Sequence, residues 1–135
     1  MVEPRIGAEI SPLVTVPTSR QVVRYAAATG DFYEAHYDKD YAVAHGLPGT
    51  ITHGLFKLAM FGRAVTGWAG QDAFVRALDA DYRGLDRVGS EFRVQGTVTS
   101  VGQEGDLWVV SLELRGVSVD GSVSTTGSAV VDFPV

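Results

Sequence analysis

The sequence contains no cysteine, no excess of basic residues and no long hydrophobic run. Without cysteine, disulfides, thiol catalysis and thiolate-bound zinc are excluded. The net charge of −5 argues against general nucleic-acid binding, which needs a basic surface to neutralise phosphates. No apolar segment approaches the roughly 20 residues of a membrane-spanning helix. Glu3 and Pro4 stand where a signal peptide would begin its apolar segment. We therefore expect no membrane association and a cytoplasmic protein.

The size and composition are those of one compact domain. The chain has 135 residues, of which 45% are hydrophobic and 20% are charged, values that exclude a disordered chain. We predict a single domain over residues 1–135.

Periodicity in the first half of the chain predicts helices separated by turns. A short apolar stretch at 13–16 is typical of a strand. Thr18 offers an N-cap, apolar residues follow at helical spacing, and Gly30 supplies a stop, which together predict a helix over 20–29. A second, shorter helix is predicted over 38–44.

The segment 51–70 has no proline and is apolar around most of its helical circumference, which predicts a buried helix. Its apolar positions are Leu55, Leu58, Ala59, Phe61, Ala64 and Val65. The glycines in this segment lower its helix propensity by about 1 kcal/mol each, so we expect packing to hold it.

From about residue 73 the pattern changes to strands. Alternation and turn residues predict strands at 74–82, 90–101, 107–118 and 122–133, with a break at 102–105 and a hairpin turn at Asp120-Gly121. A long antiparallel sheet wrapped around the buried helix buries both, which predicts an α+β fold. One chain can cover only half of such a helix, so we also expect dimerisation.

All three histidines, His36, His45 and His53, fall within 18 residues that are also rich in carboxylates. Asp31 and His36 lie in a loop, where a carboxylate beside an imidazole can hold one tautomer and deprotonate a water. In the alternative interpretation, Asp31 caps the following turn and His36 is an exposed loop residue. The spacing of five leaves both open.

Other chemistries lack their motifs. His36, His45 and His53 with Asp38 do not have zinc-site spacing, so we expect no metal. The chain has neither the G-x-S-x-G of a serine hydrolase nor a phosphate-binding glycine loop.

Gly54 stands at the predicted start of the buried helix. A helix N-terminus presents unpaired N–H groups, and a glycine there lets a ligand carbonyl approach without a Cβ in the way, which suits an oxyanion hole. Alternatively, His53 caps the helix and Gly54 only permits packing.

These residues together resemble the motif of the MaoC-like, R-specific enoyl-CoA hydratases. The matching positions are Tyr25, Ala26, Gly30, Asp31, His36, Asp38, Ala42, Gly46, Ile51, His53 and Gly54. The resemblance implies a hot-dog fold in which a long sheet wraps a central helix. It also implies that Asp31 and His36 add water to a trans-2-enoyl-CoA thioester or reverse that reaction. The thioester oxygen would bind at Gly54 and His53, with no metal and no redox cofactor.

The match departs from the usual D-x-N-P-x-H pattern, because Tyr33 and Glu34 replace asparagine and proline. In this respect the chain is similar to MaoC-like hydratases of bacterial steroid side-chain degradation and to subunits that dehydrate long acyl chains. Two interpretations of Phe32 and Tyr33 are open: they line a wide, apolar substrate pocket, or they only pack against other residues of the loop.

The resemblance implies an acyl-CoA substrate and either a homodimer or a heteromer with a second hot-dog chain. An acyl-CoA thioesterase and a non-catalytic partner subunit are the alternatives. Five arginines are candidates for contacts with the CoA phosphates, with their charge as the only argument: Arg63, Arg76, Arg83, Arg87 and Arg93.

Overall fold

The structure is a computed structural model that describes residues 4–135. Residues 1–3, including the Glu3 of the signal-peptide argument, lie outside the described part. In chain order the elements are β1 (Leu13–Thr15), α1 (Ser19–Thr29), a 3-10 turn (Glu34–His36), α2 (Lys39–Ala44), α3 (Gly54–Ala69), β2 (Phe74–Tyr82), β3 (Phe92–Glu104), β4 (Leu107–Ser118) and β5 (Val123–Pro134).

The two short helices begin and end at the residues that the sequence indicates. Thr18 and Gln21 form a reciprocal capping box at the start of α1, with the Gln21 N–H donating to Thr18 Oγ1 over 3.2 Å. Gly30 ends α1 in the left-handed region, with φ of 76°. Asp38 caps α2 by accepting the Tyr41 N–H over 3.0 Å. Both predicted helices are confirmed to within one residue.

Helix α3 is shorter and less buried than predicted. It begins at Gly54, because residues 51–53 are extended, and Ile51 forms an isolated bridge with Arg87. Leu55 and Ala59 were predicted to be buried, but both are exposed. The sequence pattern identifies the apolar positions of the helix but not which of them the sheet covers. The sheet of this chain covers only one side of the helix, and Leu55 and Ala59 lie on the other.

The five strands form one antiparallel sheet in the order β1-β3-β4-β5-β2. The central pairs β3–β4 and β4–β5 run over nearly their whole lengths. Helix α3 contacts all five strands, so the sheet curls around it. Strands β1 and β2 are the edges.

The turn between β3 and β4 lies later than predicted. The break expected at 102–105 is in part strand, because β3 continues to Glu104, which pairs with Leu107. Only Gly105 and Asp106 remain for the turn, and Gly105 supplies its positive φ of 59°. The predicted turn at Asp120-Gly121 is confirmed, with Gly121 at φ 86°.

The core lies between α3 and the inner face of the sheet. Phe61 and Val65 of the helix pack among alternate residues of the central strands, including Phe92, Leu112 and Val131. No helix within residues 4–135 combines the length and the hydrophobicity needed to span a membrane.

Candidate active site

The backbone after α1 folds back on itself and brings Asp31 and His36 together. After Gly30, the Asp31 side chain accepts the Tyr33 N–H over 3.4 Å, and the 3-10 turn then reverses the chain. As a result, His36 Nε2 lies 3.7 Å from Asp31 Oδ2. The two side chains that the sequence singled out therefore face each other.

His36 is held in one tautomer. Its ring is buried, and because a carbonyl oxygen can only accept, Nδ1–H is the donor to the Ile51 oxygen over 2.8 Å. In the neutral ring, Nε2 then carries the lone pair and faces the Asp31 carboxylate, itself an acceptor. Two acceptors do not bond to each other, and 3.7 Å exceeds a direct hydrogen bond. Both can instead accept from the two O–H groups of one water.

His53 lies behind this pair. Its side chain is fully buried and does not cap α3. His53 Nε2–H donates to the Asp31 carbonyl oxygen over 3.1 Å, and its ring stacks on that of His36 with centroids 3.7 Å apart. Burial lowers the pKa of His53, and the nearby His36 ring lowers it further, while the bond to the Asp31 carbonyl opposes the shift. His53 therefore contacts both Asp31 and His36, and its lowered pKa favours the neutral ring.

Gly54 is the first residue of α3, and within residues 4–135 its N–H has no hydrogen-bond acceptor. A Cβ at Gly54 would lie 3.2 Å from three ring carbons of Tyr82. The expectation that the missing Cβ leaves room for a ligand is therefore corrected, since the Tyr82 ring fills that space. The free N–H remains.

Phe32 and Tyr33 lie at the surface of the loop that carries Asp31 and His36. Phe32 is 54% exposed and Tyr33 46% exposed, so this chain alone does not close a pocket around them. The Tyr33 ring meets His36 edge-on, with centroids 5.6 Å apart. Tyr37 Oη–H donates to the Phe32 carbonyl oxygen over 3.0 Å and steadies the loop.

His45 lies outside the cluster. Its ring stacks on Tyr41, and its Nδ1–H donates to the Tyr41 carbonyl oxygen over 2.8 Å. The metal set considered from the sequence therefore does not assemble. Asp31, His36 and His53 do offer ligand atoms within 4.8 Å of one another. However, His53 Nε2 carries a hydrogen, and the two imidazole rings are stacked at 24° with centroids 3.7 Å apart. Their in-plane lone pairs lie in nearly parallel, separated planes and converge poorly on one ion, so this donor set suits a metal poorly.

A buried ion pair was missed from the sequence. Lys57 Nζ lies 2.8 Å from Asp86 Oδ2, and both residues are buried. The available signal was a lysine on the apolar stripe of α3, four residues before Phe61.

Three of the five arginines considered for CoA are paired with carboxylates. Arg76 contacts Glu104 and Asp132, while Arg83 and Arg93 contact acidic residues two positions away. Within residues 4–135, Arg63 and Arg87 have no such partner. The role of all five in binding stays a prediction.

Comparison with known proteins gives concordant family matches. A family model described as "MaoC like domain" matches residues 2–114. The chain is 33% identical over 98 residues to the 3-oxo-4,17-pregnadiene-20-carboxyl-CoA hydratase beta subunit of Mycobacterium tuberculosis, covering 73% of this chain and 71% of that protein. It is 29% identical over 111 residues to the fatty acid synthase subunit beta of Saccharomyces cerevisiae, covering 82% of this chain but only 5% of that protein.

Solved structures show the same fold. The ChsH1-ChsH2 complex from Mycobacterium tuberculosis contains a chain with a TM-score of 0.86 and 24% identity, covering 97% of this chain and 99% of that one. The (R)-hydratase from A. caviae involved in PHA biosynthesis has a TM-score of 0.89 and 22% identity, covering 97% and 98%. The hot-dog fold expected from the resemblance is confirmed. Given the family match and the hydratase subunit similar over most of both chains, this chain belongs to the MaoC-like dehydratase family.

Proposed function

We propose that this protein adds water to a trans-2-enoyl-CoA thioester to form 3-hydroxyacyl-CoA, or catalyses the reverse dehydration. Membership of a hydratase and dehydratase family supports hydro-lyase chemistry in general. The specific proposal rests on the arrangement of two proton acceptors, His36 Nε2 and Asp31 Oδ2. These two atoms lie 3.7 Å apart, a distance at which both can accept hydrogen bonds from one water.

The proposed reaction uses one water held by both acceptors. Its oxygen forms a bond to Cβ of the conjugated double bond, and one of its protons passes to the Asp31–His36 pair. The π electrons move toward the thioester and give an enolate. The pair then returns a proton to Cα, so the product gains one water and the enzyme is unchanged.

Gly54 is the proposed donor to the thioester oxygen. Its N–H lies at the positive end of the dipole of α3, where it can stabilise the negative charge of the enolate. Removal of one such donor costs about 100- to 1000-fold in rate in other enzymes. His53, being fully buried, would support this site from behind.

The proposed substrate has a bulky or long acyl group. The similar Mycobacterium tuberculosis subunit is named for a steroid-derived CoA ester. In the present chain, the exposed aromatic rings of Phe32 and Tyr33 are compatible with a wide substrate site.

We also propose that a second hot-dog chain, identical or different, completes the assembly. Leu55 on α3 is 51% exposed beside the site, and Phe74 on the edge strand β2 is 68% exposed. A partner chain that covers these surfaces would bury the apolar side chains that the sheet of one chain leaves exposed. The similar proteins include a hydratase beta subunit and a two-component complex.

The decisive assay follows the loss of enoyl absorbance with short-chain, long-chain and steroid-like enoyl-CoA substrates, alone and with candidate partner chains. We expect hydration of at least one of them, with the mass in solution identifying the active assembly. Loss of the thioester with release of free CoA would instead indicate a thioesterase. No activity under any condition would contradict the hydratase proposal and favour a non-catalytic subunit.

Variants then test the proposed pair. Asp31→Asn should lower kcat by orders of magnitude with little change in melting temperature, because Asp31 is partly exposed and the change removes a proton acceptor. His36→Ala should lower kcat by a similar factor but should also lower the melting temperature, because its ring is buried and bonded to the Ile51 carbonyl oxygen. His45→Ala is the matched control, since it removes a histidine outside the cluster. Retained activity together with a large loss of stability would favour a structural role for the pair.

A further inference from the structure

The buried pair of Lys57 and Asp86 lies in a network of hydrogen bonds. Lys57 Nζ–H groups donate to Asp86 Oδ2 over 2.8 Å and to the Gly84 carbonyl oxygen over 2.9 Å. The Asp86 carboxylate also accepts the hydroxyl groups of Ser118 and Ser124, each over 2.6 Å. The pair thus joins the first turn of α3, the 84–88 segment and the strands β4 and β5.

The backbone of the same segment holds the residues that precede α3. The Asp86 carbonyl oxygen accepts the Thr52 N–H over 2.8 Å, and the Val88 N–H donates to the Thr50 carbonyl oxygen over 3.0 Å. Residues 50–52 are thereby fixed on one side by the segment that carries Asp86.

The other side of residues 50–52 faces the candidate catalytic loop. The Ile51 N–H donates to the Ala35 carbonyl oxygen over 3.1 Å, and the Ile51 carbonyl oxygen accepts His36 Nδ1–H over 2.8 Å. Hydrogen bonds therefore connect Lys57 and Asp86 to the imidazole of His36 through the Asp86 backbone and the Ile51–Thr52 peptide group.

A gain in stability is a weak explanation for this pair. Taking two charges out of water is costly, and apolar residues of similar volume at such positions are often as stabilising or more so. A hydrogen-bonded pair can fix the orientation of a side chain. The Asp86 carboxylate is held in one orientation by its bonds to Lys57, Ser118 and Ser124. Apolar packing would not fix the Asp86 backbone in the same way.

We propose that Lys57 and Asp86 are positioning residues for the active site, which act through residues 50–52 on the His36 tautomer and on the start of α3. This inference rests on the proposed function. The pair does not contact the reacting atoms in this scheme. It keeps His36 Nε2 aimed at the water and the Gly54 N–H aimed at the thioester.

The principal test replaces both charges at once. Lys57→Met/Asp86→Leu replaces the ion pair by apolar side chains, keeps the space filled and leaves neither charge unpaired. Glu113→Gln/Arg115→Gln is the control, because it removes an ion pair of similar length, 2.9 Å, on the exposed side of β4. Ser118→Ala/Ser124→Ala is a milder second variant, which keeps the ion pair but removes two hydroxyl donors to Asp86.

The first readout does not depend on activity. Ring-nitrogen NMR shifts, assigned by replacing each histidine in turn, report the tautomer of His36. The wild type and the control should show His36 protonated at Nδ1, whereas the charge-free variant should show a mixture of both tautomers. The serine variant should move in the same direction by less. An unchanged His36 signal in every variant that folds would overturn the proposal.

The second readout is kinetic. Because small displacements of a catalytic group can cost on the order of 100-fold in rate, we expect the charge-free variant to lose about 10- to 100-fold in kcat, with a smaller change in KM. Wild-type kcat in a folded charge-free variant would also overturn the positioning role. If the wild type has no hydratase activity, the proposed function fails, and the NMR experiment still decides whether the pair positions His36.

Discussion

Replacement of His53 by glutamine should reduce the loss of stability that accompanies a fall in pH from 6.5 to 5. Burial lowers the pKa of His53 in the folded protein below the ordinary value of 6.5. At a pH below 6.5 the unfolded chain therefore binds a proton at this residue that the folded chain does not. The stability that this difference contributes is fully present above pH 6.5 and is lost as the pH falls toward the folded-state pKa.

The size of the effect follows from one proton. When the unfolded state binds one more proton than the folded state, the free energy of unfolding changes by about 1.4 kcal/mol per pH unit. Over the 1.5 units from pH 6.5 to pH 5, one histidine can contribute at most about 2 kcal/mol. Glutamine does not ionise, yet its amide can still donate to the Asp31 carbonyl oxygen. Loss of the stacked ring lowers stability by an amount that does not depend on pH.

The assay is urea unfolding of the wild type and His53→Gln at several values between pH 5 and pH 8. The difference in free energy of unfolding should be constant above pH 7 and shrink as the pH falls below 6.5. His45→Gln is the control, since it removes an exposed histidine that lies outside the cluster. Parallel curves for the wild type and His53→Gln would refute the assignment of His53 as a buried, neutral histidine.

Three glycine substitutions test the packing of the core and of the candidate site. Gly127→Ala should destabilise the protein by about 1 to 3 kcal/mol or more, because the new Cβ would overlap the Asp79 carbonyl oxygen and lie 2.9 Å from Phe61. Gly67→Ala should instead raise the melting temperature, because a Cβ at Gly67 has nothing within 4 Å. Equal effects of the two substitutions on the melting temperature would contradict this account. Gly54→Ala should be destabilising in the wild type but neutral or stabilising in a Tyr82→Ala background, where the contact at 3.2 Å is gone. A double-mutant cycle by urea unfolding measures this coupling, and its absence would show that the Tyr82 ring is not what requires glycine.

Much of the fold follows from local patterns. The helix ends at Thr18 and Gly30 and the turn at Asp120-Gly121 come from residues that specify backbone conformation on their own. The pairing of Leu13 with Val94, in contrast, joins residues far apart in the chain. Local periodicity carries no information on such a partner, so the sheet order was not predictable.

The buried pair shows the same limit at the site. A lysine among apolar positions signals that a partner exists, but not which carboxylate provides it. Asp86 lies 29 residues away, and its selection depends on Ser118 and Ser124, which only the closed sheet brings near. Likewise, Tyr82 comes into contact with Gly54 only because β2 ends beside the start of α3.

The candidate site is formed by two stretches of sequence, residues 31–36 and residues 51–54, which contact each other in the fold. Asp31 and His36, five residues apart, do not define a geometry by themselves. The Ile51 carbonyl oxygen fixes the His36 tautomer, and His53 Nε2–H binds the Asp31 carbonyl oxygen while its ring stacks on His36. Each motif alone is ambiguous, because its residues have ordinary structural uses. Together they are specific, because the second motif supplies the two hydrogen bonds that orient the first.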